Sequence, residues 1–262
     1  MSDRRSTPDA ARVTQETIHC VASDYSDLYR SPGGPRERQL LFGQEVTLLD
    51  QRDRWAYVRA TRDGYHGFVR ASALKPYEIA THIVCAPCTH AYEAPNLKSR
   101  DIIGLSHLSQ ITALSKTPDF VEMSQGFIPK QHLAPGGHVE NDPAAVAKHY
   151  LGTDYLWGGN TRWGIDCSGL VQAALTACGL PCPGDSDQQM ILGHPATTPY
   201  QRNDLLFWKG HVALVTDPET LIHANAHTMA VNHEPIQEAI TRIATKGDGP
   251  VTAHRRLPAL SG

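Results

Sequence analysis

The sequence predicts an α+β chain in which two small all-β units precede one unit that mixes helices and strands. Three observations carry this expectation. Residues 16–134 are short apolar runs broken by Pro and Gly, and they contain a weak internal repeat. Residues 135–142, Pro-Gly-Gly-His-Val-Glu-Asn-Asp, read as a connector. Beyond them the apolar spacing turns helical before returning to strand-like runs.

Taken in order, residues 1–15 are polar and read as a disordered tail. The first small unit spans 16–77, with strands expected at 17–21, 40–41, 46–49, 55–59 and 67–69. The second spans 78–135 and repeats the first. Val46-Thr47 and Leu49 match Ile111-Thr112 and Leu114, Trp55 matches Phe120, and 67–69 with Leu74 match 126–128 with Leu133. Twelve positions separate Trp55 from Gly67, but only six separate Phe120 from Gly126. The first copy therefore carries an insertion over 59–66, expected as a longer hairpin tip whose aromatic Tyr65 could reach a neighbouring domain. A solvated loop is the plainer reading of such an insertion.

The third unit, 136–262, begins with Asp142-Pro143 ahead of an alanine-rich stretch, a capped helix with Pro at its first position. Residues 155–171 then form a glycine-rich loop that delivers Cys167 to the first turn of a helix. Leu170, Val171, Ala174, Leu175 and Cys178 keep helical spacing, and Gly179 sits where the helix should end. A thiol at a helix N-terminus feels the positive end of the backbone dipole, which favours thiolate. Downstream, His211 opens one apolar run and His223 sits in the next. If 210–216 and 220–224 pair as a hairpin, one imidazole can take the thiol proton while the other holds its tautomer. Cys178 and Cys182 read as small apolar residues, and Trp157 as a core residue. Cys167 differs because polar Asp166 and Ser168 flank it.

With a formal net charge of -3, no basic excess points to nucleic acid or anionic membrane. No apolar run is long enough to span a bilayer. The polar N-terminus lacks the apolar core of a secretory signal, so a cytoplasmic location is expected. Six cysteines in such a chain are expected as thiols. Cys85-Ala-Pro-Cys88, with His90 nearby, has the spacing of half a zinc site or a redox pair. Cys178 and Cys182 complete it poorly, so a coincidental pair in a strand and turn is expected. Neither metal nor organic cofactor is expected, and the chain is expected to be a monomer.

The succession YLWGG (155–159), DCSGLV (166–171), DLLFW (204–208), GHVALV (210–215) and LIHA (221–224) resembles the NlpC-type papain-like cysteine peptidases of bacteria, over roughly residues 140–262. That resemblance implies a papain-like fold, with Cys167 as nucleophile, His211 as base and His223 as orienting residue. It also implies that Tyr155 and the Cys167 N–H bind the oxyanion. The two small units resemble tandem bacterial SH3-like barrels, which is a less specific likeness.

Such barrels ahead of such a domain resemble a narrower group, the γ-D-glutamyl-L-diamino acid endopeptidases of murein peptide recycling. The resemblance implies a closed pocket for the free N-terminal L-Ala of a murein-derived peptide. Its residues would be Asp166 and Ser168 beside the nucleophile, Ser186 in the segment 184–189, and Glu37 and Tyr65 from the first barrel. A buried ammonium needs carboxylate compensation, which suits Asp166 and Glu37. For the diamino acid side, His194, Trp208 and Asn225 are candidates without a distinguishing motif. The rivals are an exported hydrolase of intact wall, a non-catalytic wall-binding module, and acyl or amide transfer to another substrate.

Overall fold

The computed structural model describes residues 3–258, in two compact units, one ending at His138 and one beginning at Val139. In the first, β1 (Thr17–Val21), β2 (Tyr25–Tyr29), β3 (Arg36–Leu41), β4 (Glu45–Arg52), β5 (Trp55–Ala60), β6 (His66–Arg70) and β7 (Leu74–Pro76) form one sheet in the order β3-β2-β6-β5-β4-β1-β7. Val21, Leu28, Val46, Val58 and Val69 make its core. A register shift in β4 between Leu48 and Asp50 sends Leu49 to a second cluster with Tyr57 and Phe68. The expected SH3-like barrel is not closed among the described residues. The three-residue β7 spends its whole length on β1, so β3 and β7 remain edges.

That second cluster also gives residues 3–15 of the expected disordered tail a packed place; residues 1 and 2 lie outside the described residues. Val13 packs on Leu49, Tyr57 and Phe68, covering apolar surface that would otherwise face water. The N–H groups of Thr14 and Gln15 donate to the Leu49 carbonyl at 2.9 and 3.0 Å, and the His66 N–H donates to Arg5 O at 2.8 Å.

The second copy comprises β8 (His82–Val84), β9 (Cys88–Tyr92), β10 (Asp101–Ser106), β11 (Gln110–Ile111), β12 (Ser115–Lys116), β13 (Phe120–Met123), β14 (Gly126–Pro129) and β15 (Leu133–Pro135). It divides into a sheet of order β10-β9-β14-β13-β12 and one of order β11-β8-β15. Phe42 of the first copy enters its core beside Val84, Ile111 and Ile128, so the copies share one compact unit. Cys85 and Cys88 bound the turn from β8 to β9. The repeat is thinner here: Leu114, the counterpart of buried Leu49, is exposed.

The second unit contains α1 (Pro143–Lys148), β16 (Asn160–Thr161), β17 (Gly164–Ile165), α2 (Cys167–Ala177), α3 (Ser186–Gln189), β18 (His194–Pro195), β19 (Leu205–Trp208), β20 (His211–Asp217), β21 (Thr220–Asn225), β22 (Ala230–Pro235), α4 (Ile236–Ile243) and β23 (Ala253–Arg256). Its sheet runs β18-β23-β19-β20-β21-β22. Asp142 caps α1 by accepting from the Ala144 N–H at 3.2 Å, with Pro143 at the first position. Helix α2 packs on β20 and β21. Ile236, Ala239 and Ile243 of α4 pack against Leu206, Trp208, Ala213, Val215 and Leu221. Each large apolar side chain buried here contributes about 1.5–3 kcal/mol. Fully buried Asp204 fastens β23 to the sheet, accepting from His254 Nε2 at 2.7 Å and from Arg256 at 2.8 Å. No helix among the described residues is long and apolar enough to cross a membrane.

Candidate active site

Cys167 is the first residue of α2, and the sequence dictates how it gets there. Asp166 caps the helix: its Oδ1 accepts from the Gly169 N–H at 2.6 Å and the Ser168 hydroxyl at 2.9 Å. Its Oδ2 accepts from the Gly158 N–H at 2.9 Å, drawing the glycine loop onto the helix start. Gly169 is required by close approach. A Cβ there would lie 2.5 Å from the Gly159 carbonyl oxygen. Trp157, expected in the core, instead stands 67 % exposed at the tip of this loop. With Gly158 and Gly159 following, the chain turns before the indole can be covered.

The thiol is buried, and burial pushes it up to about 12, with the Asp166 carboxylate adding to the shift. Backbone N–H donors from Val212 and Ser168 pull it back only in part. The thiolate expected from the helix terminus is therefore not the resting form. Helix-end stabilisation is worth about 0.3–1 kcal/mol, rising to ~2 in favourable geometry, and desolvating a buried anion costs more. The Val212 contact also places the thiol beside the residue that follows His211.

A two-residue turn, Lys209-Gly210, joins β19 to β20 and sets Trp208 opposite His211. Gly210 takes a φ of 73°, the left-handed region that favours glycine. Leu214 faces Ile222 across β20 and β21, so His211 and His223 share the other face of that pair, together with small Ala213. His211 Nε2 lies 2.9 Å from His223 Nδ1, which realises the expected pairing. Burial, aided by His223 and Arg242, pushes His211 down to about 3. Burial also lowers fully buried His223, while Glu234 opposes that shift.

Two residues that sequence reading missed complete this chain. Glu234 Oε2 is 3.0 Å from His223 Nε2, too oblique for a well-formed hydrogen bond. Arg242 holds the same carboxylate through Nε to Oε1 at 2.8 Å and Nη2 to Oε2 at 2.6 Å. Partial burial opposes ionisation of Glu234, but the Arg242 hydrogen bonds and the His223 contact outweigh it and hold the carboxyl down at about 2. An ionised Glu234 favours the proton on His223 Nε2. His223 Nδ1 then accepts from His211 Nε2–H, and His211 Nδ1 is left as a lone pair, the state a general base needs. In the sequence Glu234 lies among ordinary polar residues, and only the pairing of β21 with β22 brings it to His223.

Tyr155 pairs with Ile165, just ahead of the nucleophile's helix, and donates its N–H to Met229 O at 2.9 Å. Burial and the neighbouring Cys167 and Asp166 raise its phenol, so it stays a hydrogen-bond donor. Ser186 begins α3, which Gln189 ties to the nucleophile's helix: Gln189 Nε2 donates to Ser168 O and to Pro183 O, both at 3.0 Å. Of the weaker candidates, His194 is exposed on strand β18. Trp208 is buried with its ring 5.7 Å from that of His211. Asn225 Oδ1 accepts from the N–H groups of His227 and Thr228 at 3.0 and 2.9 Å.

Glu37 and Tyr65 belong to the first unit. The Glu37 carboxylate takes two hydrogen bonds from the Arg4 guanidinium. Tyr65 does not project from the hairpin tip as expected. Its side chain joins the core with Val46 and Val58, and the Arg38 guanidinium lies 5.2 Å from its ring centre. The loop holds it there, because the Ala60 N–H donates to Tyr65 O at 2.8 Å and the Tyr65 N–H to Asp63 Oδ1 at 3.1 Å.

A cleft of about 310 Å³ opens beside His211 and Tyr155, bounded also by Lys209, Asn225, His227 and Lys246. No group of three or more His, Cys, Asp or Glu able to hold a metal occurs among the described residues.

A buried thiol on a helix start, next to a hairpin whose two strands present a hydrogen-bonded histidine pair, is the apparatus of a cysteine peptidase. Residues 152–247 match the NlpC/P60 family, and residues 28–74 match the bacterial dipeptidyl-peptidase SH3 domain. Residues 152–247 are an NlpC/P60 cysteine peptidase domain, and an SH3 domain of the bacterial dipeptidyl-peptidase type lies ahead of it in the sequence. It is 27% identical to dipeptidyl-peptidase 6 of Lysinibacillus sphaericus over 250 residues, spanning 83% of this chain and 91% of that protein. It is 25% identical over 244 residues to a γ-D-glutamyl-L-lysine dipeptidyl-peptidase of Bacillus cereus, spanning 76% of this chain and 70% of that one. The crystal structure of an NlpC/P60 family protein from Bacillus cereus has the same fold, with a TM-score of 0.75 at 20% identity, covering 94% of this chain and 100% of that one.

Proposed function

We propose that the protein hydrolyses the γ-D-glutamyl-L-diamino acid bond of murein-derived peptides that carry a free N-terminal L-Ala. The observation that carries this reading is the union, in one chain, of a dipeptidyl-peptidase SH3 domain with an NlpC/P60 domain whose cysteine and histidine pair are intact. Relatives named γ-D-glutamyl-L-lysine dipeptidyl-peptidase, matched over about three quarters of this chain, support the bond type.

In this mechanism Cys167 Sγ attacks the γ-carbonyl of D-Glu as its proton passes to His211 Nδ1. The Cys167 N–H and the Tyr155 hydroxyl stabilise the oxyanion. His211 returns the proton to the departing amine, leaving a thioester on Cys167. Water, deprotonated by His211, then releases L-Ala-γ-D-Glu and the free thiol. His223 orients His211. Asp166, Ser168, Ser186, Glu37 and Tyr65 are assigned to substrate binding, and recycling of soluble wall fragments in the cytoplasm is part of the same proposal.

The test is mass-spectrometric cleavage of L-Ala-γ-D-Glu-meso-diaminopimelate beside its N-acetylated analogue, with wild type and Cys167→Ala. Release of L-Ala-γ-D-Glu from the free peptide alone, lost in the variant, is the expected result. Equal cleavage of the blocked peptide would remove the free-amine requirement and the roles of Glu37, Asp166 and Tyr65, leaving the peptidase reading in place. Release of fragments from intact peptidoglycan would favour a wall hydrolase, and cell fractionation tests the location.

A further inference from the structure

The cleft beside His211 has a charge pattern that catalysis leaves unused. Lys209 stands in the turn directly before His211, and Lys246 lies in the segment Ala244–Asp248 that follows α4. Lys246 Nζ is 2.8 Å from His227 Nδ1. Arg242 also lines the cleft, but Glu234 neutralises it. Among the described residues that bound the cleft, Asp248 is the single carboxylate. A volume of about 310 Å³ suits a ligand of amino-acid size.

We propose that this cleft receives the diamino acid on the leaving-group side and selects one bearing a second carboxylate at its far end. The assignment rests on the cleavage reading above. His211 must hand a proton to the departing amine, so the residue that owns that amine lies where His211 is open, and His211 opens into this cleft. The far end of meso-diaminopimelate is a carbon bearing one ammonium and one carboxylate, and L-lysine ends in an ammonium alone. Asp248 complements the ammonium common to both. Lys209 and Lys246 complement the carboxylate that only diaminopimelate has, and they repel a lone ammonium. The selectivity is a difference between two substrates, so it falls on residues that leave the chemistry itself untouched.

The experiment compares kcat/KM for L-Ala-γ-D-Glu-meso-diaminopimelate and L-Ala-γ-D-Glu-L-Lys in wild type, Lys209→Ala, Lys246→Ala and the double variant. Wild type should favour the diaminopimelate peptide. Each single variant should reduce that preference by roughly fivefold or less, as for partly exposed charge pairs, and the double variant by more. Cleavage of the lysine peptide should be unchanged or improved, and the preference should shrink as salt rises. A wild-type preference for lysine, or a ratio that neither variant moves, overturns the proposal while leaving the peptidase reading intact. If neither peptide is cut, the peptidase reading fails. Titration of free meso-diaminopimelate against L-lysine into Cys167→Ala then decides the cleft alone: tighter diaminopimelate binding that the double variant loses supports it, and equal binding overturns it.

Discussion

Glu234 Oε2 lies 3.0 Å from His223 Nε2, and Arg242 grips that carboxylate from the other side. The relationship extends the histidine pair into a four-residue line, His211, His223, Glu234 and Arg242, that starts at the cleft and ends on α4. Its charge sequence dictates which nitrogen of each ring carries a proton. Glu234 touches no reacting atom in the proposed mechanism, so it is a positioning residue.

Glu234→Ala should therefore lower kcat by about tenfold or more while KM changes little, because the charge that sets the proton on His223 Nε2 is gone. A merely structural role would not move the pH profile. The acidic limb of kcat/KM should shift in Glu234→Ala, and Glu234→Asp should restore part of the rate.

The resting thiol is neutral, because burial pushes Cys167 up to about 12 and the His211 ring down to about 3. Alkylation of Cys167 by iodoacetamide should keep accelerating as pH rises through 9. A plateau between pH 5 and 8 would mean a preformed thiolate–imidazolium pair, and the neutral ground state would be wrong.

Acid should destabilise the enzyme domain through the same residues. His211 falls from an ordinary 6.5 to about 3 on folding, so between those values the unfolded chain binds the extra proton. Stability is then fully present above the unfolded value and is lost as pH drops from 6.5 toward 3. Glu234, held at about 2 against 4.5, acts in the same direction at lower pH. The urea midpoint of wild type should fall between pH 7.5 and 5, and His211→Gln should fall less over that interval.

Gln189→Ala removes the hydrogen bond that ties α3 to Ser168 at the start of α2 and a second one to the Pro183 carbonyl, leaving one buried and one half-buried carbonyl without them. The cost should be about 1–3 kcal/mol, read as a lower urea midpoint. If Ser186 binds substrate, KM should rise at the same time, since α3 carries both residues.

How much of this was legible in the sequence follows from the range over which each feature is specified. Cys167, its Asp166 cap and the glycine loop are encoded within about fifteen positions, where spacing and turn chemistry speak directly. His211 and His223 needed one hairpin assumption, which the strand pairing bears out. Glu234, Arg242 and Gln189 were silent because they acquire meaning only through tertiary pairing, and each is an ordinary polar residue in its local stretch. The thiolate expectation failed for a related reason. Helix position can be read locally, whereas the burial that opposes it is a property of the assembled domain. Residues 3–15 were misjudged because a single Val13 suffices once Leu49, Tyr57 and Phe68 offer it a partner.

The Lys209-Gly210 turn has a consequence of parity. Side chains along β20 alternate between the two faces of the sheet, so the face on which His211 emerges depends on whether the count from Trp208 is odd or even. A change of one residue in that turn would send the imidazole to the opposite side while leaving the strand itself intact. The turn can therefore vary in chemistry at Lys209 but not in length, which leaves the residue beside the base open to change without disturbing the base.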